Sequence, residues 1–329
     1  IHGVPTIPSY IFYSIFGFQR VGDMIWSCGD MLCRGFLLGG TSGRTPLNGE
    51  GLQHQDGHSQ VIASTVPNLL SYDPAFAGEL AVIIREGIRR MYEQQENVFY
   101  YITIHNENYA MPPMVEGSAE GIVRGMYRFR TGPTVADGQR KAHLFGSGAI
   151  MTEVLRAQEL LATLGVSADV WSVTSYNELC REGLRVERQN HLAAGSPSAK
   201  PYVAELLAAE QGVFIAASDY MKSLPLGIAR WVPGPYVVLG TDGYGLSESR
   251  ADLRNWFEVS AGYIAWAALA ALHEAGAVSA GELAAAAGTL FLDLNSASPG
   301  TKQQAAAVID AAGGRYVEAG VMTSVPPHG

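Results

Sequence analysis

The run from Pro74 to His105 most constrains how this chain can fold. PAFAGELAVIIREGIRRMYEQQ (74–95) spaces its apolar residues as an amphipathic helix does. Proline stands at its first position and cations gather late, where they complement the helix dipole. VFYYITIH (98–105) is β-branched and aromatic, the pattern of a buried strand. Asn68 to Tyr72 reads as another short strand, closed by Asp73-Pro74. Strand, helix and strand in succession imply a parallel α/β layer.

The same alternation returns further on. His143 to Gly146 ends a strand, Gly146-Ser147-Gly148 is a tight turn, and Ile150 to Leu164 is helical. Ala168 to Val173, Val213 to Ala217 and Tyr236 to Leu239 read as strands. Tyr176 to Glu187 and the alanine-rich stretch Trp256 to Ala275 read as helices. Between the two units, TGPTVADGQR (131–140) is rich in Gly, Pro and small polar residues and is the best linker in the chain. The expected architecture is therefore α/β, two consecutive parallel-sheet domains over about residues 1–132 and 141–284. Upstream, Ile11 to Leu32 is expected as a mostly buried helix, with Gly17 and Gly22 where something packs close.

With 329 residues, 47% hydrophobic and 16% charged, a packed interior is expected. The net charge of -9 and the lack of a basic cluster argue against a nucleic-acid surface. Three cysteines, Cys28, Cys33 and Cys180, fit a reducing, cytoplasmic setting, and the spacing of Cys28 and Cys33 lacks the second pair of a zinc site. The apolar N-terminus lacks the basic region and cleavage site of a signal peptide, and no apolar run approaches membrane-spanning length.

Chemistry concentrates in GFLLGGTSGRTPLNGEGLQHQDGHS, residues 35–59. Ordering so many glycines costs entropy, and such loops persist where backbone must approach a ligand or polar side chains must be presented. His54, Asp56 and His58 stand at i, i+2 and i+4. A metal site, a hydrolase triad with Ser42 or Ser59, a proton-moving histidine in a cleft, and loop-fastening polar contacts are all open to these residues. A G-x-S-x-G elbow and a third metal ligand at a familiar spacing are both missing. Gly146-Ser147-Gly148 and Gly240 to Gly245 fall short of a dinucleotide fingerprint. The aromatics Tyr10, Phe12, Tyr13, Phe16 and Phe18 read as core, although one could stack on a flat heteroaromatic ring.

IPSYIFYSIFGFQRVGDM, the glycine loop, LSYDPAFAGELAVI, QENVFYYITIHNENYAMP, SVTSYNELCREG and VLGTDGYGLSESRADLRNWFEV together resemble one family. It is the homodimeric-type pyruvate dehydrogenase decarboxylating component, a thiamine diphosphate enzyme of the transketolase group. The resemblance runs from about residue 5 to about residue 280. It implies a transketolase-like pyrimidine-binding domain followed by a transketolase C-terminal domain. It also implies pyruvate as substrate, thiamine diphosphate and Mg2+ as cofactors, a lipoyl-bearing dihydrolipoyl acetyltransferase as partner, and a homodimer. By position, Phe16 matches the aromatic that stacks on the aminopyrimidine ring. Tyr13 and His54 match active-site residues near the substrate, and Glu50 matches a supporting residue.

Two departures qualify the expectation. The activating glutamate and the G-D-G and N-N motif for diphosphate and magnesium have no counterpart here. The chain is thus expected to depend on a missing N-terminal domain and to be inactive alone, with no metal ligands of its own. Residues 285–329 resemble instead the 3-hydroxyisobutyrate and 6-phosphogluconate dehydrogenase group, as a strand, helix and strand without the glycine-rich nucleotide turn. This tail is expected to pack poorly against the main body. A non-catalytic structural or regulatory module, and a fragment of a nicotinamide-dependent hydroxyacid dehydrogenase, are the alternative readings.

Overall fold

The computed structural model describes residues 6–135, 140–193 and 198–290, with the single positions 307 and 311. Most of the expected strand, helix and strand of the tail, and part of the expected linker, lie outside the described residues. Residues 285–290, expected to open the poorly packed tail, instead end the helix Ala280–Leu290, with Ala286 and Ala287 buried in the core.

The first unit is built on four parallel strands: β1 (Ser9–Tyr13), β2 (Phe36–Gly40), β3 (Leu69–Tyr72) and β4 (Phe99–Thr103), in the order β1-β2-β4-β3. Every residue of β3 and β4 is buried, as expected of strands covered on both faces. The helices of this unit are α1 (Ser14–Asp30), α2 (Ser59–Ala63), α3 (Ala77–Ile88) and α4 (Ala119–Arg124). A π-helical turn, Arg89–Glu93, extends α3.

The second unit carries β5 (Tyr127–Arg130), β6 (Lys141–Gly146), β7 (Ser167–Ser172), β8 (Val213–Ala217) and β9 (Tyr236–Leu239), in the order β5-β7-β6-β8-β9. All the pairings are parallel except that of β5 with β7. Its helices are α5 (Met151–Thr163), α6 (Tyr176–Leu192), α7 (Tyr202–Leu206), α8 (Ser223–Leu226), α9 (Arg250–Trp256), α10 (Ala261–Glu274) and α11 (Ala280–Leu290). Because β5 pairs within this sheet, the chain enters the second sheet before residue 132. One apolar cluster lies behind the first sheet, and two cover the second sheet.

Several local expectations need correction. Ile11 to Leu32 is not one buried helix. Ser9–Tyr13 forms an edge strand paired on one side only, and the helix starts at Ser14. Met24 and Trp26 are exposed, because α1 buries one face only, through Ile15, Phe18 and Ile25. Close packing occurs at Gly17, where a Cβ would fall 1.8 Å from the Phe12 ring, whereas Gly22 faces open space. Of the five aromatics read as core, Phe18 is buried while Tyr10 and Tyr13 are exposed.

Pro74 precedes α3 rather than opening it. Glu79 Oε2 instead accepts from the N–H groups of Ala75 (2.6 Å) and Phe76 (3.1 Å), satisfying donors that a helix start leaves free. The stretch from Trp256 to Ala275 breaks after Trp256. Glu258 there adopts φ +59°, and the N–H groups of Val259 and Ser260 both turn back to the carbonyl of Arg254.

Candidate functional site

Parallel strands deliver the residues after their carboxyl ends to one edge of a sheet, where α/β proteins collect their chemistry. Here the strand ends of the two units face each other. Ser42 follows β2, Asp73 follows β3, His105 follows β4, Gly148 follows β6 and Asp219 follows β8. Asp73 N–H donates to Thr174 O (2.8 Å) and Gly148 N–H to Asp73 O (3.1 Å), tying the units at main-chain level. His105 Nε2 lies 2.9 Å from Asp73 Oδ1, and Ser42 Oγ lies 3.2 Å from His105 Nδ1. Burial disfavours the His105 imidazolium, but Asp73, Asp219 and the Ser42 carbonyl outweigh it and raise the pKa. Asp219 Oδ1 accepts from both the N–H (3.1 Å) and the hydroxyl (2.7 Å) of Thr45. Its burial nonetheless pushes its pKa up to about 6, against the pull of Arg254.

The glycine loop lies over this seam. Asp56 Oδ1 accepts from the N–H groups of His58 and Ser59, both at 2.9 Å, and Asp56 Oδ2 from the Ser59 hydroxyl, so Asp56 caps α2. His58 Nε2 sits 3.3 Å from an Arg44 guanidinium nitrogen. Burial, then Arg44, lowers the His58 pKa. Arg44 is fully buried and donates to Gly243 O of the second unit. Asp56 and His58 therefore fasten the loop, although His58 Nδ1 is buried without a hydrogen-bond partner among the described residues.

The open part of the site lies where β1 runs into α1. Tyr13 ends β1, Phe16 sits in the first turn of α1, and a short 3-10 turn, Leu52–His54, carries the histidine. The His54 ring centroid is 5.5 Å from that of Tyr13 and 5.2 Å from that of Phe16, the latter edge-on, and the two aromatics are 5.9 Å apart. Glu50 Oε2 approaches His54 Nδ1 to 3.7 Å. That nitrogen is buried and finds no hydrogen-bond partner among the described residues. Arg20 lies over one face of Phe16, 4.1 Å from its centroid. All four residues singled out from the sequence, Tyr13, Phe16, His54 and Glu50, thus meet in one half-exposed cluster. Such a surface can hold a flat ring and offer an imidazole and a phenol to a developing charge.

Sequence reasoning missed the polar seam behind this cluster: Asp73, His105, Asp219, Arg254, Glu107 and the interdomain role of Arg44. Arg254 donates to Glu153 Oε1 (3.1 Å) and to Glu107, all in partly or fully buried positions. The only available signal was position, each of Asp73, His105 and Asp219 standing just past an apolar strand. Among the described residues, one set of His, Asp and Glu groups converges as metal ligands do: His143, Asp169 and Glu210. Its chemistry argues against a metal. His143 Nδ1 accepts from Trp171 Nε1 (3.3 Å), leaving Nε2 to donate to Gln211 O (3.1 Å), and Lys141 Nζ takes Asp169 (2.7 Å). No helix among the described residues is long and apolar enough to cross a membrane.

Comparison with known proteins bears on the two units rather than on the individual site residues. Residues 1–112 match the pyruvate dehydrogenase E1 component middle domain, and residues 125–260 match the transketolase-like C-terminal domain. The chain is 51% identical over 303 residues to the pyruvate dehydrogenase E1 component of Pseudomonas aeruginosa, covering 91% of this chain and 34% of that protein. It is 48% identical over 301 residues to the same component of Escherichia coli K12, covering 91% and 33%. The chain thus spans about a third of the length of the curated relatives it matches. Among solved structures, transketolase from Leishmania mexicana superposes with a TM-score of 0.59 at 14% identity, over 82% of this chain and 34% of that one. A split-gene transketolase solved as an inactive β4 tetramer superposes at 0.54 and 16% identity, over 82% and 77%. The tandem arrangement of two parallel α/β units is thereby accounted for: the first unit belongs to the pyruvate dehydrogenase E1 component middle-domain family and the second to the transketolase-like C-terminal domain family.

Proposed function

We propose that this chain supplies the aminopyrimidine side of a thiamine diphosphate site in an enzyme that decarboxylates pyruvate and acetylates a lipoyl group. The observation that carries the reading is the convergence of Tyr13, Phe16 and His54 within 6 Å ring to ring, beside Glu50. The cofactor fits what is there. Aromatic surface is available at the carboxyl edge of a parallel sheet, and His54 Nδ1 lacks a hydrogen-bond partner. When bound, thiamine diphosphate supplies a nucleophilic thiazolium carbon that takes the keto carbon of the substrate and holds the electron pair left by carbon dioxide. Phe16 would seat the pyrimidine ring. His54 and Tyr13 would steady negative charge on the substrate oxygen and move a proton to or from it. Glu50, 3.7 Å from Nδ1 and so beyond hydrogen-bond reach, would support the imidazole through its charge. No magnesium or diphosphate clamp is assigned to this chain. Those groups, a dimer and the acetyltransferase partner belong to the same proposal and rest on the resemblance to the family alone.

The reading is tested in the assembled enzyme that carries this chain, by pyruvate-dependent acetylation of a lipoyl domain. His54→Ala should lower kcat by about 100-fold, the usual size of a lost acid–base group. Phe16→Ala should raise the thiamine diphosphate concentration needed for half activity. If both variants keep the parental kcat and cofactor response, the assignment is wrong. Calorimetric titration of this chain alone with thiamine diphosphate and magnesium should show no micromolar binding, since its clamp is assigned elsewhere.

A further inference from the structure

We propose that Cys28 and Cys33 form a dithiol that closes to an intramolecular disulfide by exchange with a low-molecular-weight disulfide. The pairing follows from how α1 ends. Leu32 N–H donates to Gly29 O (3.2 Å) and Cys33 N–H to Cys28 O (2.9 Å), with Leu32 at φ +57°. This is a Schellman cap in which leucine stands where glycine is usual. The cap sets the residue after the left-handed position against one in the last helical turn, a contact that is commonly apolar. Here both partners are cysteines. A 2.9 Å bond between their main chains, taken with standard bond lengths, limits their Cα separation to about 6.8 Å, within the span of a disulfide.

The side chains use this proximity. Burial, and then the neighbouring Cys33 thiol, push the Cys28 thiol up, which places the two side chains within each other's electrostatic reach. Both are half-buried, open to a small reagent but shielded from a large one. In the exchange, one thiolate attacks the small disulfide and releases one small thiolate. The second thiolate attacks the protein sulfur of the mixed disulfide, closing the ring and releasing the other. Two electrons pass from the protein to the small disulfide, and the two protein protons end on the two small thiols.

Oxidised and reduced glutathione serve as the probe, equilibrated with the full chain, followed by acid quench, alkylation and tryptic mass mapping. Both cysteines fall on the peptide between Arg20 and Arg34. Ring closure therefore reads as a peptide about 2 Da lighter than the reduced form, carrying neither alkyl nor glutathionyl groups. Half-buried Cys180 in α6 reports single-thiol behaviour in the same sample. The closing constant of the folded chain should exceed that of the guanidinium-unfolded chain by about 10-fold or more, because the cap holds the thiols together. Separate glutathionylation of Cys28 and Cys33 without a ring would overturn the proposal. So would a closing constant no larger in the folded chain, which would leave the pair as a small apolar plug.

Discussion

His105 stands between Asp73 and Ser42, with one ring nitrogen 2.9 Å from the carboxylate and the other 3.2 Å from the hydroxyl. The connectivity is that of a hydrolytic triad, but the setting is not. Ser42 is fully buried, and Gly148 of the second unit closes over the imidazole so tightly that a Cβ would lie 2.4 Å from Nε2. No acyl group can reach the hydroxyl. A serine-directed fluorophosphonate should leave the folded chain unlabelled at Ser42. Stoichiometric labelling abolished by Ser42→Ala would contradict this.

The same histidine should make stability depend on pH. Its pKa is raised in the folded state, so the folded chain binds the proton more tightly than the unfolded chain. The resulting stabilisation is fully present below the unfolded value of about 6.5 and is lost as pH rises through the higher folded value. In urea denaturation, the advantage of the parent over His105→Gln should be larger near about pH 6 than near about pH 9. An advantage that grows with pH would refute the assignment.

Asp219 behaves in the same sense for a different reason. Burial holds its folded pKa at about 6, against an ordinary value of 3.8. Between these values the folded state carries the extra proton, so stability from this group falls as pH rises from about 4 to about 6. Asp219→Asn cannot ionise. Relative to the parent it should therefore gain on the order of 2 to 3 kcal/mol between about pH 4 and about pH 7, the free energy of a two-unit shift. Denaturant midpoints across that range measure it, and parallel curves for the two proteins would exclude a titrating Asp219.

How much of this was legible depends on whether a residue's role is local. VFYYITIH declared β4 because a strand buried on both faces must be apolar at every position. Tyr13, Phe16, Glu50 and His54 were reached through resemblance to a family, since nothing in their spacing brings the start of α1 to a loop some forty residues on. The edge position of β1 was hidden because sheet order is set by pairings distant in sequence. Ser9 and Phe36 are partners although their segments carry no mutual signal. The polar seam was hidden for the same reason, each member being an unremarked polar residue until two sheets are placed edge to edge. The Cys28–Cys33 contact was missed because the spacing was judged against zinc ligands, whereas a helix cap made the pair.

Glu79 offers the sharpest test of that seam. Its Oε2 caps α3 through the N–H groups of Ala75 and Phe76, while its Oε1 accepts from the hydroxyls of Tyr127 (2.9 Å) and Ser172 (2.5 Å) in the second sheet. Burial raises its pKa even with these donors around it. Glu79→Ala would leave buried donors of both units without acceptors, at a cost of about 3 to 5 kcal/mol. Glu79→Gln keeps the shape and can turn its amide oxygen to the helix N–H groups and its NH2 to the Tyr127 and Ser172 hydroxyls, which accept as well as donate, so it should cost only about 1 kcal/mol. Because one carboxylate serves both units, the alanine variant should also uncouple them. Its urea unfolding, followed by tryptophan fluorescence and by far-ultraviolet circular dichroism, should split into two transitions that coincide in the parent. A single shared transition in the variant, at the parental midpoint, would show that Glu79 holds neither the helix nor the two sheets together.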